Sequence, residues 1–127
     1  MKKVGVAILG LGVVGGGTYD ILTSNKEYFK KTQGLDITVE SVLEKNKERA
    51  ISLGIPEENI ASSIEEVVCN PNVDIVVEVI GGIEPSKTFV LKALKSGKTV
   101  VTSNKELFAK HWPELESAAK KSRVLVT

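Results

Sequence analysis

Apolar residues along this 127-residue chain follow two alternating rhythms. Short continuous runs, suited to strands buried on both faces, are followed by stretches whose apolar residues recur three, four or seven apart, as in helices. The first run, Lys3–Leu9 (KVGVAIL), ends in glycines and predicts a buried parallel strand. From Val13 to about Lys30, the spacing of Val14, Ile21, Leu22, Tyr28 and Phe29 predicts one helix. Gly34 ends that unit, and the β-branched Ile37–Leu43 (ITVESVL) predicts a second strand.

Beyond it, Asn46 is suited to cap a short helix that stops before Gly54. Ser62 or Ser63 with Glu65-Glu66 marks another helix start, and Pro71 bounds that helix. Val73–Ile80 (VDIVVEVI) is the strongest strand pattern in the chain. Ser86 is placed to cap a helix carrying Val90, Leu91 and Leu94, with Gly97 as its stop. Lys98–Val101 predicts a short strand, Asn104 to about Lys110 and Pro113–Ser122 predict helices, and Val124–Val126 predicts a last strand. Strands alternating with helices imply an α/β fold: a doubly wound, mostly parallel sheet (a Rossmann fold) in three αβα layers. Such a sheet binds its ligand beyond the carboxyl ends of its strands, where the strand order reverses.

Length and composition narrow the picture only in part. The size suits one domain, residues 1–127. Seventeen basic residues balance sixteen acidic ones, so charge gives no reason to expect nucleic acid or a membrane as partner. The early apolar stretch is broken by Gly5, Gly10 and Gly12 and reads as a strand, not a signal peptide. Cys69, the one cysteine, cannot form an internal disulfide, which suits a cytoplasmic setting, and reads as a small core residue. His111 has no metal-binding companions at ligand spacing, so no metal site is expected.

The chemistry gathers at the predicted strand ends. Gly10-Leu11-Gly12-Val13-Val14-Gly15 is a G-x-G-x-x-G between a strand and a helix, the context in which this motif holds a dinucleotide. Gly10 allows the turn, Gly12 admits the pyrophosphate to the backbone, and Gly15 lets helix and strand pack closely. Gly16 and Gly17 extend the run, although each costs a helix about 1 kcal/mol against alanine. After the second strand, Glu44 suits the ribose 2′-hydroxyl of NAD, whereas Lys45 suits the 2′-phosphate of NADP; both readings stay open.

Glu78 lies inside an apolar strand and is expected to bond to nearby backbone N–H groups, a structural role. Gly81-Gly82 would keep the sheet mouth open for a flat ligand. Thr102, Ser103 and Asn104 can cap the next helix and face a cofactor. Lys105 would meet the positive end of that helix dipole, which disfavours its cation and suits it to proton transfer during alcohol oxidation.

The stretches VGVAILGLGVVGGGTYDIL and VDIVVEVIGGIEPSKTFVLKALKSGKTVVTSNKEL, with the closing helix and strand, resemble the N-terminal nucleotide-binding domain of homoserine dehydrogenases. The middle, about Asn25–Ile64, matches loosely. The resemblance implies NAD(P)-dependent interconversion of L-homoserine and L-aspartate 4-semialdehyde, towards threonine and methionine. It implies that Gly10, Gly12, Val13, Val14 and Gly15 seat the pyrophosphate and that Thr102, Ser103 and Lys105 meet the nicotinamide end. Lys105 would be a catalytic lysine that also touches cofactor. Where relatives commonly have Arg-Asp after the second strand, this chain has Lys45-Asn46, which keeps a cation for a 2′-phosphate.

In that family a substrate and dimerisation domain follows, carrying a second catalytic lysine and the homoserine-binding acids. The chain is therefore expected to bind cofactor without turnover, as part of a homo-oligomeric enzyme. Two rival readings are a nucleotide-sensing module and a sugar dehydrogenase of the glucose-fructose type, which has Glu-Lys-Pro where this chain has Ser103-Asn104-Lys105-Glu106.

Overall fold

The computed structural model describes every residue from Met1 to Thr127. Its elements run β1 (Lys2–Leu9), α1 (Val13–Ser24), α2 (Lys26–Gln33), β2 (Leu35–Leu43), α3 (Lys47–Ser52), a 3₁₀ turn at Glu57–Asn59, α4 (Ile64–Val68), β3 (Ile75–Glu78), α5 (Ser86–Lys95), β4 (Thr99–Thr102) and α6 (Lys105–Ser122). The four strands form one sheet in the order β2-β1-β3-β4, all parallel. β1 lies in the middle and the chain leaves it in opposite directions, so the reversal of strand order falls at its carboxyl end. The doubly wound α/β reading holds.

Alternation along β1 divides the core in two. Ala7 and Leu9 face one layer, packing with Val76, Val100, Val90, Leu94, Leu107 and Leu115 beneath α4, α5 and α6. Val6 and Ile8 face the other, with Val39, Val42, Leu11, Ala50 and Ile55 beneath α1 and α3. A sheet covered on both faces needs apolar residues on both, which explains why its strands read as continuous apolar runs. The pairing of β1 with β2 slips between Val6 and Ala7, where β2 carries an extra residue, Glu40.

Several expectations need correction. The helix predicted over Val13–Lys30 is two helices divided at Asn25, whose backbone and side-chain N–H groups both donate to the Ile21 carbonyl. Of the residues whose spacing predicted it, Val14, Ile21 and Tyr28 are exposed, while Gly15 is buried against the end of β1 and Gly16 against α3. Ser86 does not cap α5 but is its first residue, and its buried hydroxyl points back to the sheet. Cys69, expected in the core, is exposed, because α4 ends at Val68 and its apolar face comprises Ile64, Val67 and Val68. The predicted last strand is a short stretch lying parallel to β4, joined by the bonds Val100 N–H to Leu125 O and Thr127 N–H to Val100 O.

Other boundaries follow their signals. Asn46 caps α3 by accepting from Arg49 N–H, and Ser63 caps α4 by accepting from Glu66 N–H. The final helices join as α6, bent at His111 (φ −130°) just before Pro113, a residue with no N–H for the helical ladder.

Candidate cofactor site

The carboxyl edge of the sheet carries the candidate residues in spatial sequence from β2 to β4. At its centre, β1 passes into α1 through the glycine turn. Gly10 has φ +96°, a conformation L side chains rarely adopt. A Cβ on Gly15 would stand 1.9 Å from the Gly10 carbonyl oxygen, so helix and strand approach as closely as they do only because it is absent. Gly12 is different. It is exposed, its φ is −68°, and a Cβ there would meet nothing within 4 Å. The fold itself places no demand for glycine at that position.

The same turn leaves donors open. No side chain caps α1, and the N–H groups of Gly12, Val13, Val14 and Gly15 have no hydrogen-bond partner in the protein. The first to find one is Gly16, which donates to the Gly12 carbonyl at 2.8 Å. Orphan N–H groups at a helix start, together with the positive dipole end, form an anion seat. Val13 and Val14 stand exposed beside it.

Towards β2 the turn opens on a cleft of about 560 Å³, lined by Gly10, Leu43, Glu44, Lys45, Lys47, Ile60, Ala61, Ser62, Ile80, Pro85 and Phe89. Apolar walls with few polar groups suit a planar ring. Glu44 lies here as expected, but its carboxylate is engaged: Oε1 accepts from Leu11 N–H at 2.7 Å and Oε2 from Asn46 N–H at 2.9 Å. Lys45 and Lys47 are exposed and form no ion pair. Arg49, not singled out from the sequence, reaches from α3 to donate through Nε to the Leu11 carbonyl at 3.0 Å. Only its capping neighbour Asn46 hinted at a helix facing this turn.

Beyond β1, Gly81 (φ +89°) and Gly82 (φ +75°) carry the chain out of β3 and leave exposed backbone. Glu78, fully buried at the end of β3, organises this part of the mouth. Its Oε2 accepts from Ile80 N–H at 2.8 Å, Gly81 N–H at 3.3 Å and the Ser86 hydroxyl at 3.1 Å, while Oε1 accepts from the Thr102 hydroxyl. One buried carboxylate thereby joins β3, α5 and β4, which offsets the cost of its burial. Nearby, the Thr88 hydroxyl and backbone N–H hold the exposed Glu84 carboxyl below the usual carboxylate range.

At the far end, Thr102 turns its hydroxyl inward to Glu78 and accepts from Asn104 N–H. Buried Asn104 caps α6 through Leu107 N–H and also donates to the Gly82 carbonyl. Ser103 and Lys105 are exposed, and Lys105 is the first residue of α6. Capping therefore falls to Asn104 alone. Neither Ser103 nor Lys105 lines this cleft; they follow β4, which lies three strand positions from β2, roughly 14 Å across the sheet edge.

An all-parallel sheet with a glycine turn and an anion seat at its reversal point defines a dinucleotide-binding domain. A sequence model described as "Homoserine dehydrogenase, NAD binding domain" matches residues 10–127, and the chain belongs to that family. It is 38% identical over 122 residues to a homoserine dehydrogenase of Bacillus subtilis, covering 96% of this chain and 28% of that protein. With the Pseudomonas aeruginosa homoserine dehydrogenase it shares 40% identity over 126 residues, 99% of this chain and 29% of the relative. The crystal structure of a homoserine dehydrogenase from Thiobacillus denitrificans superposes with a TM-score of 0.89 at 41% identity, over 100% of this chain and 29% of that one. The chain thus spans under a third of the length of these relatives.

Proposed function

We propose that this chain is the cofactor-holding domain of a homoserine dehydrogenase, which interconverts L-homoserine and L-aspartate 4-semialdehyde with NAD(H) or NADP(H). The observation that carries the reading is the row of unpartnered N–H groups from Gly12 to Gly15 beside a glycine that the fold does not require. Gly10, Gly12, Val13, Val14 and Gly15 receive the pyrophosphate, and the cleft by β2 takes the adenosine. Lys45 and Lys47, exposed on the lining of that cleft, supply the cations for a ribose 2′-phosphate. Gly81 leaves room for the chain of the cofactor as it crosses β3.

When bound, the nicotinamide supplies the hydride acceptor or donor. Ser103 and Lys105 lie at that end of the sheet edge, with Thr102 and Asn104 fixing the backbone behind them. The Lys105 amine takes the hydroxyl proton as the alcohol is oxidised, and returns it in the reverse direction. Substrate binding and homo-oligomer contacts belong to the remainder of a protein of the relatives' length, in a cytoplasmic setting.

Titration of the chain with NADH and NADPH, followed by their fluorescence, tests the reading. Saturable quenching or a spectral shift is expected, and absence of binding by a folded sample would overturn it. In the full-length enzyme, Lys105→Ala is expected to lower turnover by about a hundredfold with the fold retained. Near-normal turnover would return Lys105 to the ordinary solvated lysines.

A further inference from the structure

The turn that seats the pyrophosphate is gripped from outside by one residue of the β2–α3 connection and one of α3. The Leu11 N–H donates to Glu44 Oε1 at 2.7 Å, and the Leu11 carbonyl accepts from Arg49 Nε at 3.0 Å. These two groups belong to successive peptide units, Gly10–Leu11 and Leu11–Gly12. A trans peptide directs its C=O and N–H to opposite sides. Holding the Leu11 carbonyl towards α3 therefore turns the Gly12 N–H away from α3, towards the open face.

The grip is itself secured. Glu44 Oε2 accepts from Asn46 N–H at 2.9 Å, and Asn46 Oδ1 accepts from Arg49 N–H at 3.2 Å, so acid, cap and cation form one linked unit. Gly16 makes room for it: a Cβ there would approach Arg49 Nη2 to 3.1 Å. An alanine there, although favoured by the helix, would press on the guanidinium end.

We infer that Glu44 and Arg49 are positioning residues that fix the orientation of the Leu11–Gly12 peptide before cofactor arrives. Donors already aimed at the pyrophosphate avoid the ordering cost that a free loop meets on binding. The inference rests on the pyrophosphate reading above and assigns Glu44 to the turn and not to the ribose. It expects the loss of the Arg49 Nε bond to weaken both cofactors alike, because that bond is to the turn.

The test uses Arg49→Met, which keeps the aliphatic stem and removes the donor, alongside Arg49→Lys, which keeps a donor. NADH and NADPH are titrated into each, with circular dichroism and the Leu11 and Gly12 amide resonances as controls. Arg49→Met is expected to weaken both cofactors equally, by about tenfold, to shift the Gly12 amide, and to leave the circular dichroism unchanged. Arg49→Lys should recover part of the loss. Unchanged affinity in Arg49→Met would overturn the inference. So would a loss confined to NADPH, which would make Arg49 a 2′-phosphate contact. Failure of the unsubstituted chain to bind either cofactor would instead remove the pyrophosphate reading beneath it.

Discussion

Replacing Gly12 by valine, with Gly15→Ala as its partner experiment, separates the demands of the fold from those of the ligand. At Gly12 the backbone is extended (φ −68°, ψ −157°), and an added Cβ would meet nothing within 4 Å. The cost to stability is the poorer capping preference of a β-branched residue, about 1 kcal/mol. Binding should respond far more, because the new side chain occupies the approach of the pyrophosphate to the α1 donors. Loss of two charge-assisted hydrogen bonds at about 1.5–3 kcal/mol each amounts to roughly 3–6 kcal/mol, or two to four orders of magnitude in Kd. Gly15→Ala should behave in the opposite sense. Its Cβ would overlap the Gly10 carbonyl oxygen at 1.9 Å, forcing α1 off β1 at a cost of about 1–3 kcal/mol and several degrees in Tm. Thermal melts and NADH fluorescence titrations on both variants provide the measurement. A Gly12→Val chain that binds NADH as tightly as its parent, or that melts many degrees lower, would refute the division of roles.

Three further outcomes are expected. Glu78→Leu, which strands the Ile80, Gly81, Ser86 and Thr102 donors, should cost about 4 kcal/mol or more in urea unfolding, whereas Glu78→Gln should cost about 1–2 kcal/mol; equal losses would show that the carboxylate does not organise the mouth. Lys45→Ala is expected to weaken NADPH about tenfold and leave NADH nearly unaffected, read by parallel titrations, and an equal effect on both would place Lys45 away from the 2′ position. The Glu114 carboxyl is held below its ordinary value of 4.5 by the hydrogen bond from Lys87, then by that from His111. Its contribution is therefore present above pH 4.5 and lost as pH falls below it, so Lys87→Ala should narrow its stability difference from the parent in acid, and a difference constant from pH 7 to pH 3 would contradict the pairing.

The sheet was legible because strands covered on both faces must be apolar throughout, and Lys3–Leu9 and Val73–Ile80 show this without ambiguity. The glycine turn was legible for a related reason: few other residues adopt the Gly10 conformation or permit the Gly15 contact. The first helix was less so. Apolar spacing through Val14, Ile21 and Tyr28 predicted one helix, yet the chain divides at Asn25; those three residues are exposed, while Tyr19 and Leu22 pack against the core. Hydrogen bonds between distant residues leave no periodic trace. Nothing in the local sequence shows that Ser86 serves Glu78 in place of a helix end, or that Glu44 and Arg49 converge on Leu11.

The open amides at the start of α1 impose a constraint on selectivity. A diphosphate bridge is the same in all four redox and phosphorylation forms of a nicotinamide dinucleotide, so a seat of this kind cannot tell them apart. In the arrangement proposed above, discrimination by phosphorylation falls to the adenosine end beside Lys45, and by oxidation state to the far end beside Lys105. Small inorganic oxyanions share that bridge chemistry too, and a phosphate buffer will compete for the same perch.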